Sequence, residues 1–339
     1  MNENNYSVFK YGQDVIWSLP CLFQNEVVFA SMQSALGTYK FPLLNANIFG
    51  APRTVWTAGR VSAVRDELDK SQLKKLFNYI QNSNNGIPSF TFSRLDITDE
   101  LIKDKYANYI LDFAIERGAR FIVSSDRLRD HIKNKNSKIQ IVSSVIKPIN
   151  HFHGKENIEQ LMIEEESDFY NKLLKEYDIV VVRPEYARDI LAKNPSLIDD
   201  IGRIEILINQ ICINNCPMAS KHIHLIQASN IKELDEHVHS TDFYCPKYQY
   251  SRSKNYQLNC TIPADIVKKL VDAGVKNLKL QGRGEPVPYQ NMLMLLASQM
   301  FNFDGPNYVF LEYLINRIPD ELQKFRTLVD TENKWTYWV

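Results

Sequence analysis

Short apolar runs alternate with longer amphipathic stretches along most of this chain, and that alternation limits the folds open to it. Val27 to Met32 (VVFASM) and the shorter Thr54 to Trp56 read as strands. A helical pattern follows from Val64 to Ser83, with apolar positions at Val64, Leu68, Leu73, Leu76 and Ile80, and Asn84-Asn85-Gly86 stops it. Pro88 to Ser93 (PSFTFS) is the next strand, then a helix through Leu101, Tyr106, Ile110 and Ala114 that Gly118 ends. The same alternation continues. Strands at Phe121 to Val123 and Ile139 to Ser144 are followed by a helix from Glu159 to Tyr177. The strand Ile179 to Arg183 leads into a helix through Tyr186, Ile190 and Leu191, and the strand Ile204 to Ile208 comes next. Tyr256 to Cys260 and Lys276 to Gln281 bracket a helix from Ala264 to Ala273.

Strands of this buried type, each followed by a helix, make a parallel sheet covered by helices. At 339 residues a TIM-barrel-like (β/α)8 fold in one domain is the first expectation and a doubly wound sheet the second. In both, chemistry gathers at the C-terminal ends of the strands. The segment 221–254 breaks the pattern and reads as an inserted loop, and 300–339 reads as a C-terminal helical extension carrying Trp335, Tyr337 and Trp338.

Composition removes whole classes. Forty basic residues balance forty acidic ones, so a protein that coats a phosphate backbone is not expected. Hydrophobic residues at 44% and charged residues at 24% exclude disorder as the main state. No run reaches the roughly 18 consecutive apolar residues of a membrane helix. The polar start, MNENNYSVFKYGQD, lacks the pattern of a signal peptide, so a cytoplasmic location and no membrane partner are expected.

Five cysteines in such a chain do not form a secreted disulfide framework. Four of them are clustered: Cys212 and Cys216 in NQICINNCPM, Cys245 in FYCPKY, and Cys260 at the end of YQLNC. Two follow one strand end, one follows the next, and the intervening loop carries the fourth, so their positions converge. Thiolates are soft, readily ionised ligands, and four of them fit a [4Fe–4S] cluster. Two other readings stay open. Cys212, Cys216, Cys245 and His222 could form a Cys3His zinc site, or the thiols could be small buried apolar groups. Cys21, in LPCLF, reads as core.

The segments EILINQICINNCPMASKHIH (Glu205 to His224) and AGVKNLKLQGR (Ala273 to Arg283) resemble the collagenase-like peptidase family (U-32). Its relatives include iron–sulfur proteins of oxygen-independent ubiquinone and RNA-base hydroxylation. The resemblance implies a TIM-barrel-like body and a [4Fe–4S] cluster on Cys212, Cys216, Cys245 and Cys260. It also implies oxygen-independent hydroxylation, or a related modification, of a small molecule or nucleobase. Arg283 matches the arginine of the family's Gly-Arg pair and would hold an anionic part of the substrate, while His222 would handle protons. Relatives that act as paired subunits leave a homo- or heterodimer open. Two alternatives stand beside this reading: a metal-stabilised binding or accessory protein, and a hydrolase of peptide or polysaccharide.

The remaining candidates are weaker. His222 and His224 follow the cysteine loop, and an imidazole with an ordinary pKa of about 6.5 can carry protons or bind metal. His151 and His153 could share a face of an extended segment. Arg60, Arg183 and Arg283 follow strand ends, where a guanidinium can grip an anion. Gly282 and Gly284 would permit close approach of a ligand to the backbone. Glu164-Glu165-Glu166 reads as a solvated helix face. Neither a Gly-x-Ser-x-Gly elbow nor His-Glu-x-x-His occurs.

Overall fold

The computed structural model describes residues 15–20, 22, 46–57, 68–82, 86–152, 159–213, 216, 218–229, 259–262 and 264–280. Eight parallel strands close into a barrel. They are β1 (Ile16–Leu19), β2 (Ala46–Gly50), β3 (Ile87–Phe92), β4 (Arg120–Val123), β5 (Ile141–Ser143), β6 (Ile179–Val182), β7 (Ile204–Leu207) and β10 (Asn277–Lys279). Two further strands, β8 (Asn209–Ile213) and β9 (Asn259–Thr261), pair antiparallel outside the barrel. Helices lie between the barrel strands: α1 (Lys70–Asn82), α2 (Lys105–Ile115), α3 (Asp126–Lys135), α4 (Ile146–Phe152), α5 (Glu159–Glu176), α6 (Ala219–Ser229) and α7 (Ala264–Asp272). The fold is TIM-barrel-like (β/α)8. Ser18 of β1 is opposite both Lys279 of β10 and Asn47 of β2, which closes the ring and leaves no strand edge in it.

Local chemistry explains the elements. Asp104 caps α2 by accepting a 2.7 Å hydrogen bond from the Ala107 N–H, and the helix buries Ala107, Ile110, Leu111, Phe113 and Ala114. In α3, Asp126 sits in the first turn while Lys133 and Lys135 sit in the last, matching the helix dipole. The main core lies between the barrel and its helices, around Phe90, Phe92, Phe121, Ile206 and Leu278. A smaller apolar cluster (Phe49, Ile122, Val142, Ile179 and Val181) fills part of the barrel interior. No helix among the described residues is long and apolar enough to cross a membrane.

Several elements differ from the expectation. β1 and β2 fall where the sequence reading placed no strand. Thr54 to Trp56 is a turn, because Thr57 Oγ1 donates to Pro52 O at 2.7 Å and the two threonine hydroxyls meet at 3.2 Å. The strand containing Cys260 belongs to the β8–β9 pair and not to the barrel. The segment read as an inserted loop from Lys221 begins inside α6. Residues 230–254 and 300–339, like Val27 to Met32, lie outside the described residues.

After α7 the chain turns at Gly274, whose φ is +113° and whose added Cβ would stand 3.1 Å from Ile201 Cγ2. Gly118, with φ +72°, has open space at the same position. Gly274→Ala is therefore expected to cost about 2 kcal/mol and Gly118→Ala about 1 kcal/mol. Urea unfolding of the two variants checks that order.

Candidate functional site at the barrel mouth

Strand alternation sends every second side chain into the barrel. In most soluble sheets the buried face is apolar. Here the inward positions of several strands are polar: Ser18, Ser89, Arg120, Glu205, Asn277 and Lys279 are all buried. Glu205 is the hub. Its Oε1 accepts from Ser18 Oγ at 2.6 Å and from Arg120 Nη2 at 3.2 Å, and its Oε2 accepts from Lys279 Nζ at 3.2 Å. Arg120 also donates to Ser89 Oγ at 2.7 Å and to Ser18 Oγ at 2.8 Å. Lys279 Nζ stands 4.4 Å from the centre of the Phe49 ring, a cation–π contact. Burial pushes the Glu205 carboxyl up, but Lys279 and then Arg120 outweigh it and hold the group below its ordinary value. Burial draws Arg120 down, yet a guanidinium keeps its proton at neutral pH.

Nearer the C-terminal ends of the strands the interior changes character. Thr91 lies on the inward face, two residues beyond Ser89 and opposite Ile122 of the interior cluster. Ser93 continues that face past β3, and Ser124 continues the Ile122 face past β4. All three residues are at least 96% buried, and their hydroxyl oxygens have no hydrogen-bond partner among the described residues. A buried hydroxyl without a partner costs about 1–3 kcal/mol, so three at one rim are a feature to explain. Ser144, on the inward face beyond Val142, accepts from the Ile146 N–H at 3.3 Å.

The cysteine-bearing segment adjoins this mouth. The Ile208 N–H donates to Lys279 O at 3.0 Å, and the Ile262 N–H donates to Ile208 O at 2.9 Å, so β8 continues from the end of β7, where β7 meets β10, and β9 joins it there. Asn209 is opposite Thr261 and Ile213 opposite Asn259, with an irregularity between them. Cys212 and Cys260 therefore occupy neighbouring strands. Cys216 follows β8, is half-buried, and its carbonyl accepts from the Ala219 N–H at 3.0 Å as α6 begins. Cys245 and Cys21 lie outside the described residues. Among the described residues no three His, Cys, Asp or Glu side chains gather in a metal-binding group, and of the clustered cysteines only Cys216 has a described side chain.

Helix α6 bridges the rim. Gln227 accepts from the Leu95 N–H at 3.3 Å and donates to Asp96, both just past β3. Ser220 donates to Asn150 of α4, past β5, at 3.0 Å. In the ring β4 lies between those two strands. His222 is half-buried on this helix and not in a loop, and His224 is exposed.

Other candidates take different roles. Arg183 does not offer a guanidinium for an outside anion, because Glu166 clamps it with contacts of 2.8 Å and 2.7 Å. Glu166 is correspondingly no solvated face residue, being 2% exposed. Tyr170 donates to Glu166 Oε1 at 2.8 Å and accepts from the Arg183 N–H at 3.0 Å. Burial, then the Glu166 charge, raises its pKa well above the ordinary tyrosine value. His151 lies in a helix and not in an extended segment, stacked on Phe169 with ring centres 4.4 Å apart. His153, Arg60, Gly282, Arg283 and Gly284 lie outside the described residues. Sequence reasoning passed over Glu205, Arg120 and Lys279. Their signal was present: a charged residue inside IEIL, RFIV and NLK, at the inward phase of a two-residue period.

No family model matches the chain, and no curated protein does. Among solved structures it is similar to the carboxyl transferase domain of Rhizobium etli pyruvate carboxylase with oxamate and biotin. The identity is 12%, over 97% of this chain and 56% of that one, with a TM-score of 0.34. A second structure of the same domain matches at 11% identity, 95% and 54% coverage and a TM-score of 0.32. The chain thus spans about half the length of these neighbours. At this distance the likeness bears on neither substrate nor mechanism.

Proposed function

We propose that this chain is an iron–sulfur enzyme of the collagenase-like peptidase (U-32) kind, performing an oxygen-independent hydroxylation or related modification on a small molecule or nucleobase. The observation that carries the reading is the β8–β9 pairing. It brings Cys212 and Cys260, distant in sequence, onto adjacent strands at the barrel mouth, with Cys216 just beyond. The donor set fits the group: Cys212, Cys216, Cys245 and Cys260 would hold a [4Fe–4S] cluster. When bound, such a cluster supplies electron transfer or, at an open iron, a Lewis-acid site.

The chain's own residues supply the rest. The polar interior orients and holds a substrate that enters from the C-terminal side. His222, on the helix beside the rim, moves a proton at its imidazole, and Arg283 binds an anionic part of the substrate. A hydrolase using a pair of carboxylates is less well supported, because Glu205, the buried carboxylate of this interior, is held by two cations. The test is the visible absorption of anaerobically purified protein. A broad band that bleaches on reduction and is lost in Cys216→Ser is the expected result. A colourless wild type carrying zinc instead overturns the reading.

A further inference from the structure

We propose that the rim made by the C-terminal ends of β3 and β4 binds an oxyanion, the phosphate or carboxylate group of a small molecule, on the hydroxyls of Thr91, Ser93 and Ser124. Lower in the barrel the hydroxyls are engaged: Ser18 and Ser89 are bonded to Glu205 and Arg120. Higher up, on the same inward face, three buried hydroxyls have no hydrogen-bond partner among the described residues. A row of O–H donors on adjacent strands suits a group with several acceptor oxygens.

Charge selects an anion over a neutral polyol. The network beneath the rim ties Arg120 and Lys279 to Glu205; the charge that bears on the rim is that of a helix end. Directly after Ser124, α3 starts with Ser125 at its cap, and that side chain makes no capping hydrogen bond. The helix therefore turns its N-terminal N–H groups toward the same rim, which favours negative charge there. Asp126 in its first turn is engaged elsewhere, by Lys147, Arg129 and Tyr177. This inference stands on the hydroxyls and the charge, and does not depend on a cluster at the cysteines.

Inorganic phosphate and acetate are the probes. Each is titrated into the full chain, purified anaerobically, while the melting temperature is followed and iron is measured on the same sample. The expected result is a rise in melting temperature with at least one anion. Thr91→Val and Ser124→Ala should each weaken that binding about tenfold, the loss of one hydrogen bond to a charged group. Without anion both variants should melt at or above the wild-type temperature, because each removes an unpaired buried hydroxyl. Ser143→Ala, at an unpartnered hydroxyl in phase with the outward Ile141, should respond to anion as wild type does. A stronger response to phosphate points to a phosphate ester, and one to acetate points to a carboxylic acid. No response to either anion, or an equal response in wild type and both rim variants, overturns the proposal whatever the iron content. Anion binding without iron would leave it standing while removing the proposed function.

Discussion

Glu205→Leu is expected to destabilise the protein by about 3–5 kcal/mol, the cost of leaving buried charge without its partner. Glu205 is fully buried and is the carboxylate facing both Arg120 and Lys279. Removing it takes the Glu205 carboxylate from two buried cations and leaves the Ser18 hydroxyl without its acceptor. The triple replacement Arg120→Met, Glu205→Leu, Lys279→Met should recover most of the loss, because an apolar filling of similar volume needs no pairing. The pH dependence has a definite sign. The folded carboxyl lies below its ordinary value, so its contribution is complete above the unfolded pKa of about 4.3 and fades as pH falls through the lowered folded value. The gap between wild type and Glu205→Leu should be constant through neutral pH and narrow only on the acid side. Urea unfolding across that range checks both the size and the sign.

Glu166→Ala carries the second large effect, about 2–4 kcal/mol, because it breaks a largely buried ion pair from one side. Arg183 would lose its contacts with both Glu166 oxygens, and the Tyr170 hydroxyl would lose its acceptor while still receiving the Arg183 N–H. The side chains of Arg183 and Glu166 are 15% and 2% exposed, so water replaces the lost contact poorly. Glu166→Gln keeps one acceptor and the shape of the side chain, and should cost about half as much. Thermal and urea unfolding of the two variants measure the difference. A surface carboxylate such as Glu116, 70% exposed beside Arg117, should by contrast cost less than about 1 kcal/mol when replaced.

These two positions also show where sequence reading stops. The barrel was legible because its strands from β3 onward are apolar runs separated by helical periodicity. β1 was not, since IWSL follows a polar stretch with no helix signal to frame it. Thr54 to Trp56 was misread because β-branched and aromatic residues suit a strand, while the decisive contacts are hydroxyl bonds within a turn. The spacing of the cysteines is visible in the sequence, but the pairing of β8 with β9, the strands that carry Cys212 and Cys260, is a tertiary fact. Arg183 could be placed at a strand end, where an anion site was expected. Nothing local could show that a glutamate from the preceding helix already fills that role. Glu205 was hidden inside a run read for its average hydrophobicity, although its phase within IEIL marks it as inward-facing.

The proposed function requires Cys212, Cys216 and Cys260, brought to the barrel mouth by β8 and its neighbours, to hold a cluster together with Cys245. Iron and acid-labile sulfide analysis tests it most directly, on anaerobically purified wild type, Cys216→Ser, Cys260→Ser and a Cys21→Ser control. About four irons and four sulfides per chain in wild type and the control, with loss in the other two variants, is the predicted result. Metal-free wild type, or iron retained in both Cys216→Ser and Cys260→Ser, would contradict it.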